Sequence, residues 1–201
     1  MPLVLATRNK GKVAEMAALL AGLSFTLRFL PDLDKIPEVV EDGNTFLANA
    51  VKKATVVADA AAMLSLADDS GLEVDYLGGQ PGVYSARFAG EEGNDAANNA
   101  KLLALLNGVP SEQRTARFRC AIAIARPGEV LYTAEGTCEG IIGHTAKGEH
   151  GFGYDPLFIV PAYGKTFAEI DPATKNRISH RAVALQKAAA WLAAIGRDCR
   201  G

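Results

Sequence analysis

The chain has 201 residues, 49% of them hydrophobic and 22% charged, with a net charge of −2. That is enough apolar material to bury a core in one globular domain, or in one domain with two lobes. A charge so near zero excludes the broad basic field that polyanions need, so no nucleic-acid partner is expected, although a local cluster can still hold a small anion.

Cys120, Cys138 and Cys199 lie far apart, with no Cys-x-x-Cys pair. This argues against a disulfide framework and for a reducing, cytoplasmic setting. Thr7 to Lys12 break the apolar start, so no signal peptide is read. No apolar run reaches the roughly 20 residues of a membrane span, and no membrane partner is expected.

In chain order, PLVLAT reads as a buried strand. From Gly11 the apolar residues Val13, Met16, Ala17 and Leu20 follow helical spacing, and Gly22 stops that helix. FTLRFL alternates like a strand up to Pro31, and residues 32–44 have turn chemistry. A long helix is expected from Thr45 to about Met63. The short strand LSLA then ends at Asp68-Asp69.

Residues 77–94 hold five glycines and a proline and read as a long loop, a length that is usually functional in a compact domain. A helix follows from Asn94 to about Leu106. Residues 116–136 form a hairpin turning at Pro127-Gly128, CEGIIG continues it, and LFIV is another strand. Ser179 caps a last helix through Ile195, closed by Gly196. Early strand–helix alternation followed by a hairpin gives an α/β class with a mixed sheet.

Residues 6–13 nearly fit the phosphate-binding pattern G-x-x-x-x-G-K-[ST], but Ala6 and Val13 replace its first glycine and its hydroxyl. A loop entering a helix still offers backbone N–H groups and a positive dipole end to an anion. Arg8, Lys10 and Lys12 add cations, with Gly11 between the lysines, and Thr7 and Asn9 add neutral donors. A solvated basic turn is the plainer reading.

Asp68 and Asp69 sit at a strand end, where open α/β sheets bind ligands. Carboxylates there suit magnesium, which keeps most of its waters, or can deprotonate an attacking water. An Asx-turn or helix cap is the alternative. Glu38, Glu41 and Asp42 form an acidic loop, usually only solvated.

Phe152, Gly153, Tyr154 and Asp155 lie in a glycine-rich stretch that can close on a flat ligand, with an aromatic to stack on a base. The alternative is a turn with its aromatics in the core. Lys175, Arg177, His180 and Arg181 cluster around a helix start, where cations oppose the dipole unless an anionic or carbonyl-rich ligand relieves them. The histidines lack zinc-ligand spacing.

These pieces, in this order, resemble the inosine/xanthosine triphosphate pyrophosphatase family over nearly the whole chain. The family's T-x-N-x-x-K falls on Thr7, Asn9 and Lys12, and its E-[DT]-G-x-[ST]-F-x-x-N-A-x-x-K-A runs from Glu41 to Ala54. Its DDSGL and LGG-x-PG-x-[YF]-SAR fall on residues 68–72 and 77–87. GFGYDP is residues 151–156, and K-x-x-x-SHR is Lys175 with Ser179-His180-Arg181.

The resemblance implies a curved mixed β-sheet flanked by helices, in two lobes around a central nucleotide cleft, with residues 1–201 as one catalytic domain. It implies a homodimer and a magnesium-dependent hydrolase. This enzyme would split ITP, dITP and XTP between the α and β phosphates into monophosphate and pyrophosphate. Thr7, Arg8, Asn9, Lys10, Gly11, Lys12 and Lys53 would hold the triphosphate, and Glu41 and Asp69 the magnesium. Asp69 would also accept the proton of the attacking water, supported by Asp68, while Ser70 would contact the nucleotide.

Phe152 would stack on the purine, with Gly153 and Tyr154 beside it, while Asp155, Lys175, His180 and Arg181 would read its edge. A sister pyrophosphatase for modified pyrimidine nucleotides should lack the SHR element. A non-catalytic nucleotide-binding module would not need Glu41, Asp68 and Asp69 beside the cations.

Overall fold

The apolar run at Leu3, Val4 and Leu5 is fully buried and forms the first strand in a computed structural model that describes residues 1–33 and 36–198. Cys199 lies outside the described residues. A strand apolar at every position needs cover on both faces and both edges. Accordingly β1 (Pro2–Leu5) pairs in parallel with β2 (Thr26–Phe29) and with β3 (Leu64–Val74). Between them lie α1 (Lys10–Leu20) and α2 (Phe46–Ala61).

The Thr45 side chain caps α2 by accepting the Ala48 N–H at 3.1 Å, and the helix ends where Ala62 adopts a left-handed φ of 50°. Phe46, Ala50, Ala54, Val57 and Ala58 are buried on this helix, and so are the polar Asn49 and Lys53. Burying an amide and an ammonium beside alanines requires partners for both, and these are found at the site described below.

Next come α3 (Asp95–Leu105), β4 (Thr115–Arg126), β5 (Glu129–Ile142), β6 (Phe158–Val160), β7 (Lys165–Thr166), α4 (Pro172–Ile178) and α5 (His180–Asp198). The seven strands run in the order β2-β1-β3-β4-β5-β6-β7. β5 with β6 and β6 with β7 are antiparallel, so the sheet is mixed, as expected.

The chain divides into two compact units. The first comprises residues 1–69, 120–136 and 181 onward. Its core joins Leu3, Leu5, Met16, Leu20, Leu66, Ile122, Ile124, Leu185 and Leu192. The second comprises residues 70–119 and 137–180. Phe118, Phe158 and Phe167 lie at the centre of its core, with ring centroids 4.6–5.9 Å apart.

Four expectations are corrected. β3 does not stop at Asp68-Asp69 but runs on to Val74. The polar DDSG segment looks like a turn, yet β1 pairs with β3 only through Leu66 and the strand continues beside β4, where sheet pairing outweighs that local signal. The glycine-rich stretch after it is not featureless. It holds short 310 helices at Asp75–Leu77 and Gly82–Arg87, and the Ser85 Oγ ties it back to β3 by accepting the Leu72 N–H at 2.9 Å.

A helix was missed at Pro172–Ile178. Its signal is a capping Asp171, which accepts the Thr174 N–H at 2.9 Å, followed by proline at the first helical position. Finally, Gly196 does not close α5, which continues to Asp198. Gly196 lies inside the helix, where a Cβ would come 3.7 Å from the Phe25 ring.

Candidate active site

In the first unit, three short segments converge on Asp68 and Asp69. The loop after β1 supplies one of them. The Asn9 side chain caps α1 by accepting the Lys12 N–H at 3.0 Å, and the Thr7 Oγ1 accepts the Asn9 N–H at 3.2 Å. That cap starts the helix at Lys10, so Lys12 falls in its first turn, and its Nζ lies 3.2 Å from Asp68 Oδ2. Thr7 is buried, Gly11 and Lys12 are half-buried, and Arg8, Asn9 and Lys10 face solvent.

Arg181, the second residue of α5, meets the same Asp68 oxygen through Nε at 3.1 Å, and its Nη1 bonds the Glu15 carboxylate. Asp68 is fully buried. Burial opposes its ionisation, but Lys12, Arg181 and Lys53 outweigh it and hold the carboxyl well below the usual range.

Asp69 has a different environment. Asn49 donates to its Oδ2 at 2.9 Å, and Lys53 Nζ lies 3.8 Å from its Oδ1. Asn49 is itself oriented by accepting the Gly43 N–H at 2.7 Å, in the acidic loop. Lys53 Nζ also bonds Glu41 Oε2 at 2.8 Å. Burial pushes the Asp69 pKa up, as does Glu41, against the pull of Lys53 and Lys12. Two adjacent carboxyls are thus driven in opposite directions.

One cation, the Lys53 ammonium, already lies within reach of both Glu41 and Asp69. Two carboxylates facing one cation are the donor type a hard divalent ion such as magnesium takes, and it needs only one or two of them from a protein. Among the described residues no group of three or more His, Cys, Asp or Glu side chains forms a closed metal cage. Lys12, Lys53 and Arg181 face four carboxylates, Glu15, Glu41, Asp68 and Asp69. A polyphosphate brought here would need further positive charge.

The second unit carries the residues expected to meet a base. Asp155 Oδ2 accepts the Phe152 N–H at 2.9 Å and bonds Lys175 Nζ at 2.5 Å. Lys175 Nζ also lies 5.2 Å from the centroid of the Phe152 ring. Gly151 is required here, because its φ is +79° and a Cβ would sit 2.0 Å from Asp155 Oδ2. His180 is buried, its ring stacked on Phe118 at 4.7 Å. Tyr154 is buried too, its hydroxyl donating to the Ser85 carbonyl at 2.8 Å, and Ser70 is half-buried in β3.

Of the expected site residues, Lys12, Glu41, Lys53, Asp68, Asp69 and Arg181 form one bonded cluster, while Phe152, Asp155 and Lys175 form another. Arg181 belongs to the first, on Asp68 and Glu15. Asn49 and Glu15 were not singled out from the sequence. Asn49 was visible as the polar position on the alanine face of α2. Glu15 had only its spacing of three from Lys12 on a helix.

The Ham1 family model matches residues 3–191 of the chain. The chain is 61% identical to the dITP/XTP pyrophosphatase of Desulforamulus reducens, an alignment covering 94% of each protein. It is 50% identical to the dITP/XTP pyrophosphatase of Bacillus subtilis strain 168, covering 92% of this chain and 93% of that one. The structure of a HAM1 protein from Coxiella burnetii matches with a TM-score of 0.86 at 39% identity, over 96% of this chain and 98% of that chain.

Proposed function

Because the chain belongs to the Ham1 family, we propose that it hydrolyses deaminated purine nucleoside triphosphates, namely ITP, dITP and XTP, to the monophosphate and pyrophosphate. One observation carries this reading beyond the family. Asp68 and Asp69 are neighbours, yet one is clamped by Lys12 and Arg181 and the other sits by Glu41, Asn49 and Lys53. A carboxyl whose pKa is raised by burial suits the proton acceptor in an assisted attack by water.

Thr7, Asn9, Lys12 and Lys53 bind the phosphates, with the exposed Arg8 and Lys10 adding charge. Asp69 takes the proton of the attacking water, held at the correct angle by Asn49. Asp68 keeps Lys12 and Arg181 in place. Magnesium held by Glu41 and Asp69 supplies Lewis-acid stabilisation of the phosphate charge when it is bound. Phe152 stacks on the purine, and Asp155, Lys175 and His180 meet its edge. Arg181 is assigned there by resemblance, in addition to its bond to Asp68.

A carbonyl at C6, as in hypoxanthine and xanthine, accepts from Lys175 and His180, whereas the amino group of adenine leaves these donors unpaired. Residues 1–201 act as a single pyrophosphatase domain. The working form is a homodimer in the cytoplasm, and sedimentation equilibrium decides the dimer. No helix among the described residues is long and apolar enough to cross a membrane.

The test is product identity. With ITP and magnesium, 31P NMR is expected to show pyrophosphate and IMP; orthophosphate with IDP would overturn the reading. Asp69→Asn is expected to lower kcat by at least about 100-fold, the lower limit for losing a general base.

A further inference from the structure

Phe152 lies between two glycines with left-handed backbone, Gly151 at φ +79° and Gly153 at φ +60°. Such a segment has wide conformational freedom in isolation. A stacking ring set on it would lose much of its binding energy to ordering, unless other groups fix the backbone.

Those groups are on α3. Asp95 Oδ2 accepts the Gly153 N–H at 2.7 Å, and Asn99 Nδ2 donates to the Gly153 carbonyl at 2.9 Å. The two side chains stand four positions apart, one helical turn, so both project from the same face of α3. One glycine is thereby gripped at both of its peptide groups by one rigid helix. The Phe152 carbonyl completes the turn by accepting the Asp155 N–H at 3.2 Å.

Neither residue is used otherwise in capping α3, a role that falls to Asn94, which accepts the Ala97 N–H at 3.0 Å. Asn99 Oδ1 is shielded from solvent and has no hydrogen-bond partner among the described residues. A half-satisfied buried amide is a poor choice for stability alone. It is explained if the amide is kept for its N–H, since a carbonyl such as that of Gly153 can only accept.

We propose that Asp95 and Asn99 are positioning residues for base recognition, holding Gly153 so that the Phe152 ring is set before the purine arrives. The inference rests on the proposed stacking role of Phe152. It assigns a function to the first turns of α3, a helix that carries no substrate-contacting residue in that reading.

The experiment is steady-state kinetics with ITP on wild type, Asn99→Ala, Asn99→Asp, Asp95→Asn, Phe152→Ala and the Phe152→Ala/Asn99→Ala double variant. Asn99→Ala is expected to raise KM about five-fold, the worth of one net hydrogen bond, with kcat unchanged. Asn99→Asp sets a carboxylate against the carbonyl and should raise KM further. Asp95→Asn keeps an acceptor and should stay within two-fold of wild type, about the noise of such comparisons.

In the Phe152→Ala background, Asn99→Ala should add almost nothing, because no ring is left to position. An unchanged KM in Asn99→Ala, a loss confined to kcat, or full additivity in the double variant would overturn the positioning role while leaving the activity intact. A wild type that does not turn over ITP would instead remove the functional reading, and the inference with it.

Discussion

Arg181 reaches Asp68 across 113 positions of sequence, its Nε 3.1 Å from a carboxylate oxygen that Lys12 also approaches from the opposite end of the chain, at 3.2 Å. The pairing ties the loop after β1, the middle of β3 and the start of α5 into one charged knot with no solvent access to Asp68.

Asp68→Asn leaves the half-buried Lys12 and the buried Arg181 facing a neutral amide. Breaking one partner of a buried ion pair costs about 3 kcal/mol or more. Urea unfolding should therefore show a loss of that order at neutral pH, and a loss under about 1 kcal/mol would mean that the pairing contributes little. The folded-state pKa is depressed below the ordinary value of 3.8. The stabilisation is thus complete above that value and fades as pH falls through the folded pKa. The gap between wild type and variant should close on the acid side and not on the alkaline side.

Phe152→Ala removes the ring proposed to stack on the purine and leaves the Asp68–Asp69 cluster intact. Base–aromatic stacking is worth about 1–3 kcal/mol, so KM for ITP should rise at least about five-fold while kcat stays near wild type. An unaltered KM would place the purine elsewhere.

Cys120 and Cys138 are both buried with free thiols. Burial pushes the Cys120 thiol up to about 12 and the Cys138 thiol up to about 11. Neither forms much thiolate near neutrality, and the thiolate is the reactive species. Alkylation of the native protein at pH 8, followed by peptide mass analysis, should leave both unmodified, and unfolding in urea should expose both. Rapid labelling of native Cys120 would show that β4 opens locally.

Much of the candidate site was legible in the sequence because its residues sit in short dense motifs. Thr7, Asn9 and Lys12 lie within six residues at one loop-to-helix junction, and Asp68 and Asp69 are adjacent. What could not be read was the partnering. The resemblance puts Arg181 at a purine edge, with Lys175 and His180, and says nothing of its ion pairs. Its bonds to Asp68 and Glu15 follow from where α5 begins in space. The strand through Asp68–Gly71 was hidden for a related reason. Its residues favour turns locally, yet β3 runs through them to Val74 within the sheet. The grip of Asp95 and Asn99 on Gly153 spans 58 and 54 positions and leaves no local pattern.

The most direct measurement is pyrophosphate release from ITP and ATP in parallel, with and without magnesium. Two donors left unpaired by the adenine amino group cost together about 2 kcal/mol or more, so kcat/KM for ITP should exceed that for ATP by at least about 30-fold. Both activities should vanish when magnesium is chelated. Equal turnover of ITP and ATP would contradict recognition of the C6 carbonyl by the second unit, and full activity without a divalent cation would contradict the role given to Glu41 and Asp69.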